Sequence, residues 1–160
     1  ANSVEDFKNQ TRIILGGQRP YTTQVKSMFR KPFPEIPIVK TGYEIAEMVK
    51  YFINNFLSVK VSFANEMYQI CDALGIDYDK VTEYALFDKR IGRSHLAVPG
   101  PDGDFGYGGH CFPKDMDAMI FVAENLGLLT TMLSATREKN DLVRKNRDWE
   151  SMKGRAVSEG

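Results

Sequence analysis

Between residues 43 and 74 the chain contains neither proline nor glycine, and Gly75 follows at once. A breaker-free run closed by glycine is helical, because glycine alone takes the left-handed conformation of a helix end without strain. A single helix of that span is about 50 Å long at about 1.5 Å per residue, far above the mean for globular proteins. Thr41-Gly42-Tyr43-Glu44 has the form of a capping box and is expected to start it. Ile45, Met48, Val49, Phe52, Ile53, Phe56, Leu57, Val59, Phe63, Met67, Ile70 and Leu74 cover most of its circumference. A helix apolar nearly all round is buried nearly all round. The 160 residues make one compact domain, too small to bury such a rod alone. A homodimer through the long helix is expected.

Around this rod the chain reads as mostly helical. Asp77 is placed to cap a second helix over 78–86, and Cys111-Phe112-Pro113 opens a third, since proline suits a first helical turn. The third helix is expected to stop at Gly127, and a fourth to run over 131–146. Residues 88–110 read as one long loop broken by Pro99, Pro101 and several glycines. At the front, Arg12-Ile13-Ile14-Leu15-Gly16-Gly17 reads as a strand stub. A proline-punctuated stretch follows, with a short amphipathic piece at 24–29 and an extended Ile38-Val39. The fold class is therefore mainly α behind a short β remnant. The expected divisions are 1–40, 41–146 and a polar tail, 147–160.

Charge narrows the function. Lysine and arginine total 21 and so do aspartate and glutamate, so no basic footprint for nucleic acid or an anionic membrane is present. No apolar run reaches the length of a bilayer span. The first residues lack the basic and apolar regions of a signal peptide, and they read as mid-sequence. Two cysteines without a C-x-x-C pair fit a reducing, cytoplasmic setting. His95, His110 and Cys111 have no zinc-ligand spacing, so no metal is expected.

The strongest local signal is Gly106-Tyr107-Gly108-Gly109-His110-Cys111-Phe112-Pro113-Lys114-Asp115. It delivers a thiol to a helix N-terminus, where the partial positive charge and Lys114 stabilise negative charge on sulfur. Glycines let a ligand approach the backbone, and Asp115 is near enough to act as a base or to hold a cation. A buried cysteine beside a mere turn fits the same residues equally well. Cys71, between Ile70 and Leu74, reads as an apolar filler. On the long helix Glu47, Lys50, Asn54, Ser58, Ser62 and Asn65 share one stripe. That is ordinarily a solvated face, but beside so much apolar surface Lys50 and Asn54 could line a cleft and stabilise an oxyanion. The glycines at 103, 106, 108 and 109 do not make a G-x-G-x-x-G fingerprint, and no P-loop lysine follows.

In order along the chain, these pieces resemble the UDP-glucose/GDP-mannose dehydrogenase family. Val4-Glu5-Asp6-Phe7 with Arg12-Ile13-Ile14-Leu15-Gly16-Gly17 resembles the end of the family's NAD-binding Rossmann domain. Ala46-Glu47-Met48-Val49-Lys50-Tyr51, Asn54-Asn55-Phe56-Leu57 and Ser62-Phe63-Ala64-Asn65-Glu66 resemble its central helix. Asp88-Lys89-Arg90-Ile91-Gly92 and Gly108-Gly109-His110-Cys111-Phe112-Pro113-Lys114-Asp115 resemble the two signatures that follow. The resemblance implies a helical domain like the C-terminal domain of 6-phosphogluconate dehydrogenase. It also implies oxidation of UDP-glucose to UDP-glucuronate with two NAD per turnover, through a thiohemiacetal and then a thioester on Cys111. Lys50 and Asn54 would hold the oxyanions, and Asp115 with Lys50 would handle water and protons. Arg90 would reach a nucleotide sugar across the dimer, His95, Leu96, Tyr107 and Gly108 would cradle that substrate, and Lys114 would lie near NAD.

Three departures qualify this expectation. No dinucleotide fingerprint is present, nor a glutamate the family carries upstream, so the isolated chain is expected to be inactive. Residues 98–105 form a longer connection than the family's usual one. His110 resembles N-acetylated UDP-sugar members, whereas Phe112-Pro113-Lys114-Asp115 resembles UDP-glucose members. GDP-mannose or an N-acetylated UDP-sugar are the alternative substrates, and a non-catalytic helical dimerisation module is the alternative class.

Overall fold

In a computed structural model, residues 3–152 are described, and the chain divides into two units, Ala1–Lys50 and Tyr51–Gly160. The fold is mainly α, with a single pair of strands among the described residues.

The first unit contains α1 (Ser3–Lys8), β1 (Ile13–Gly16), α2 (Tyr21–Arg30) and β2 (Ile38–Thr41). The strands pair in parallel, with Ile13 opposite Ile38 and Gly16 opposite Thr41. Parallel neighbours need a crossover, and α2 supplies it, beginning before the expected piece at 24–29. Ile13 and Ile38 form the buried end of the ladder. Phe7 of α1 meets Phe29 and Phe33 edge-on, at 6.1 and 5.5 Å between ring centroids.

The long helix, α3, spans Tyr43–Ala73, and the boundary between the units falls inside it. Thr41 does not start it. That residue closes β2, its carbonyl accepting the Gly17 N–H at 2.9 Å, while Ala46 N–H donates to the Gly42 carbonyl at 3.1 Å. Sheet pairing has taken the residue that the local sequence offered as a cap. At the other end Gly75 lies at φ +68°, the Ile76 N–H reaches the Cys71 carbonyl and the Gly75 N–H that of Asp72. These two bonds are the glycine-closed helix end expected there.

In the second unit α4 (Tyr78–Ala85) is capped by Asp77, whose carboxylate accepts the Lys80 N–H at 3.2 Å. Residues 88–110 carry no helix or strand. Then follow α5 (Cys111–Asn125), closed at Gly127 by the same pair of bonds, and α6 (Thr131–Val143), shorter than expected and packed on α5. A 3-10 turn, Asp148–Ser151, ends the described chain, and its Trp149 is buried. Residues 148–151 of the segment read as a polar tail thus belong to the packed unit; 153–160 lie outside the described residues.

The core of this unit joins Ala64 and Cys71 of α3 to Tyr78 and Val98, with Met67, Tyr68, Leu96 and Phe105 around them. Tyr68 meets Tyr78 and Phe105 edge-on, at 5.5 Å each. The Tyr78 hydroxyl donates to the Leu96 carbonyl at 2.8 Å, and burial first, then Cys71 and Asp79, pushes its pKa up to about 12. Cys71 is the filler expected of it.

Within this unit α3 turns its polar side inward. Asn55, Ser58, Ser62 and Asn65 are buried, while Phe52, Phe56, Phe63, Ile70 and Leu74 are exposed. Each of the buried four makes a hydrogen bond, although Asn55 Oδ1 has no partner among the described residues: Ser58 donates to the Asn54 carbonyl at 2.8 Å, and Ser62 to the Thr136 carbonyl on α6 at 2.9 Å. Asn55 donates to the Tyr51 carbonyl and Asn65 to that of Val61. Buried polar groups are tolerated when they are paired in this way. The apolar face is left along the outside of the rod.

Candidate functional site

The site is organised by the loop 106–109 before α5, which is held from below by side chains of other elements. The Gly106 N–H donates to Asn65 Oδ1 on α3 at 3.1 Å. Asn140, on α6, brackets Tyr107, accepting its N–H at 2.7 Å and donating to its carbonyl at 3.1 Å. The Gly109 N–H donates to both oxygens of Asp148, at 3.0 and 3.2 Å. Asn65 was read from sequence as a member of a stripe and of a central-helix segment without a role at the site, and Asn140 and Asp148 were not singled out. Their partners lie 33 to 41 positions away, and no local pattern carries such pairs.

Two of these glycines have a cause in the protein's own packing. A Cβ on Gly106, at φ +67°, would lie 2.3 Å from Asn140 Oδ1. On Gly108 it would lie 2.3 Å from an Arg144 guanidinium nitrogen. At these two positions it is the protein's own polar groups that come close to the backbone. Gly109, at φ +71°, has open space where a Cβ would stand.

Cys111 is the first residue of α5 and is exposed. Its Sγ lies 3.4 Å from His110 Nε2. One helical turn on, Asp115 is fully buried. Asn54 donates to its Oδ2 at 2.5 Å, Lys114 pairs with Oδ1, and Asn55 donates to its backbone carbonyl at 3.3 Å. A carboxylate removed from water survives as a charge only when paired and hydrogen-bonded, and these neighbours meet that condition. The structure thus brings Asn54, Lys114 and Asp115 together at the first turn of the helix that Cys111 begins. Lys50 is exposed, one turn before Asn54 along α3.

Beside the loop lies a cleft of about 620 Å³, lined by His95, Tyr107, Gly108, Gly109 and Phe112, with Gly100, Pro101 and Asp102 from the long connection. His95 and Phe112 are 5.6 Å apart between centroids, Tyr107 and Phe112 5.9 Å. His95 sits at φ +65°. Burial, and then the Lys60 charge, depresses its pKa below the usual imidazole value. The buried Tyr107 hydroxyl is pushed well above its ordinary value by burial, then by Asp117 and Asp141. Leu96 packs into the core instead of lining this cleft. Arg90 is also outside it, fully solvated and paired with Asp88 at 2.5 Å, a pair that lowers the Asp88 pKa. Among the described residues no cluster of metal-ligating side chains occurs, and no helix is long and apolar enough to cross a membrane.

A helical domain with a cysteine at a helix start, beneath a moulded glycine loop, is the class of protein that fold and site define. Residues 44–142 match the central domain of the UDP-glucose/GDP-mannose dehydrogenase family, and the chain belongs to that family. It is 34% identical over 143 residues to the UDP-glucose 6-dehydrogenase TuaD of Bacillus subtilis, covering 89% of this chain and 30% of that protein. To the UDP-glucose 6-dehydrogenase AglM of Haloferax volcanii it is 37% identical over 143 residues, covering 87% and 32%. The solved structure of a UDP-glucose dehydrogenase from Pyrobaculum islandicum superposes with a TM-score of 0.73 at 35% identity, over 87% of this chain and 31% of that one. The chain spans about a third of the length of these relatives.

Proposed function

We propose that this chain is the central domain of a UDP-glucose-type nucleotide-sugar 6-dehydrogenase, with Cys111 as the nucleophile toward a carbonyl at the sugar C6. The carrying observation is the exposed Cys111 thiol at the start of α5, between the cleft-lining Gly109 and Phe112 and one turn before the buried Asp115 with its Asn54 partner. A thiolate adds to an aldehyde carbon, and the carbonyl electron pair moves to oxygen, forming a tetrahedral oxyanion. An amide nitrogen carries two N–H donors. Asn54 spends one on Asp115, and the other, with Lys50 four residues earlier, is assigned to that oxyanion. Asp115, held by Asn54 and Lys114, is assigned to the management of water and protons.

The cleft suits a nucleotide sugar, with His95, Tyr107 and Gly108 as contacts, Leu96 supporting them from the core, and Arg90 reaching a substrate in a second subunit. In this reading NAD is the hydride acceptor, two per turnover, with Lys114 near it. The described residues do not fit a dinucleotide by themselves. Gly16-Gly17 after β1 lacks the fingerprint spacing, and Ala46 Cβ fills the space beside Gly16, 2.7 Å from where a Cβ there would stand. Dimerisation is supported by the exposed apolar face of α3.

The test is NADH formation from UDP-glucose by this chain joined to the dinucleotide-binding domain of a relative, beside a Cys111→Ala control. Two NADH per sugar, lost in the control, support the reading. Turnover of GDP-mannose or an N-acetylated UDP-sugar alone would change the substrate. A folded dimer that binds NAD and turns over none of them would sink the enzymatic reading in favour of a dimerisation module.

A further inference from the structure

Arg144 follows α6 and is almost wholly buried, yet it does not line the cleft. Its guanidinium meets carboxylates from two separate segments: Asp102 at 2.7 Å, Asp104 at 3.6 Å and Asp148 at 3.9 Å. It also donates to the Asn146 carbonyl at 2.7 Å and the Phe105 carbonyl at 3.5 Å. A second bond closes the same junction, the Asn146 N–H donating to Asp104 Oδ2 at 2.9 Å. Gly100, Pro101 and Asp102 are wall residues of the cleft, and Asp148 holds Gly109 on another side. Gly108 lies directly over the guanidinium.

We infer that Arg144 is a positioning residue that sets ligand recognition: it pins the connection 98–105 as one wall of the cleft and ties that wall to the floor at 108–109. The two aspartates of this connection, Asp102 and Asp104, reach a buried cation, and the wall becomes a fixed surface. A guanidinium is suited to this place because its planar fork serves several acceptors at once, whereas an ammonium is a compact point charge. The guanidinium is buried while its carboxylate partners are partly exposed, so losing the cation or one of these acceptors loosens the wall. Cys111, on the far side of Gly109, is not held by Arg144, so ligand binding and thiol chemistry separate. The inference rests on the nucleotide-sugar reading only for the identity of the ligand.

The test compares the full chain with its Arg144→Lys and Asp104→Ala variants; neither residue lines the cleft. UDP-glucose affinity is measured by calorimetry and Cys111 alkylation by iodoacetamide on the same samples. The expected result is affinity weakened by about tenfold in both variants, equivalent to about 1.4 kcal/mol, with alkylation rates at the wild-type level. Wild-type affinity in both variants overturns the inference. A parallel fall in affinity and a change in alkylation also overturns it, since that is general loss of structure. If the wild type binds no UDP-glucose, the nucleotide-sugar reading fails separately, and amide hydrogen exchange over 100–106 decides the pin. Faster exchange there in both variants supports it, and equal exchange overturns it.

Discussion

At the scale of single residues, two glycines of the segment before α5 separate two demands that one residue type meets. Gly103 has φ +79° and open space beside it, whereas Gly106 combines φ +67° with Asn140 Oδ1 at 2.3 Å from a would-be Cβ. Gly103→Ala is expected to cost only the left-handed penalty, about 1–2 kcal/mol. Gly106→Ala should cost clearly more, because it also drives the buried amide off Tyr107. Urea denaturation of the two variants checks this, and equal losses would mean that Asn140 yields without consequence. The motif around Cys111 was legible in the sequence as a thiol delivered to a helix start. What lay beneath it was not. Asn140, Arg144 and Asp148 have no local signature, since polar residues on a short helix and in a tail ordinarily face water.

The elements themselves were largely legible, because their ends are written in residue types with a local cause. Gly75 and Gly127 close α3 and α5 through the same two backbone bonds, and Asp77 caps α4. Asp77→Ala should destabilise the protein by about 1 kcal/mol, the usual worth of such a cap, read as a lower urea midpoint with unchanged cooperativity. Thr41 shows where local reading stops, since a strand partner with no mark in the flanking sequence claimed it. The short α1 and the 3-10 turn escaped notice because neither is long enough to show a period. The facing of α3 was the larger surprise. Buried amides and hydroxyls look solvent-bound in sequence, and only the carbonyls and loop N–H groups opposite them reveal the inward face.

At the scale of the whole molecule, acid and association are the two tests. Burial is the largest influence on Asp102 and works to raise it, but the Arg144 hydrogen bond, the Asp104 N–H and the Arg144 charge together outweigh it, and Asp104 is lowered by the Asn146 N–H and then the Phe105 N–H. Both carboxyls are thus more acidic folded than unfolded, so their stabilisation is present above the ordinary carboxylate value and lost as pH falls through the folded one. His95 is depressed as well, by burial and then Lys60, so its contribution begins to fade as pH drops below about 6.5. Thermal midpoints should decline in two stages on acidification, and His95→Gln should remove the upper stage alone; an unaltered profile would contradict this. On association, Phe52 and Phe56 stack on the exposed face of α3, 6.4 Å apart. Replacing both with glutamate should shift a dimer to monomer by analytical ultracentrifugation with helical content kept, whereas a native state monomeric at micromolar concentration would remove the dimer from the reading.

The loop before Cys111 depends on side chains at 65, 140 and 148, and two of those three come after the cysteine in the chain. During synthesis, which proceeds from the N-terminus and lets early segments fold first, the nascent thiol therefore emerges before the residues that shape its approach. The floor beneath the loop closes only once residues 140 and 148 have been made, well after the cysteine it serves.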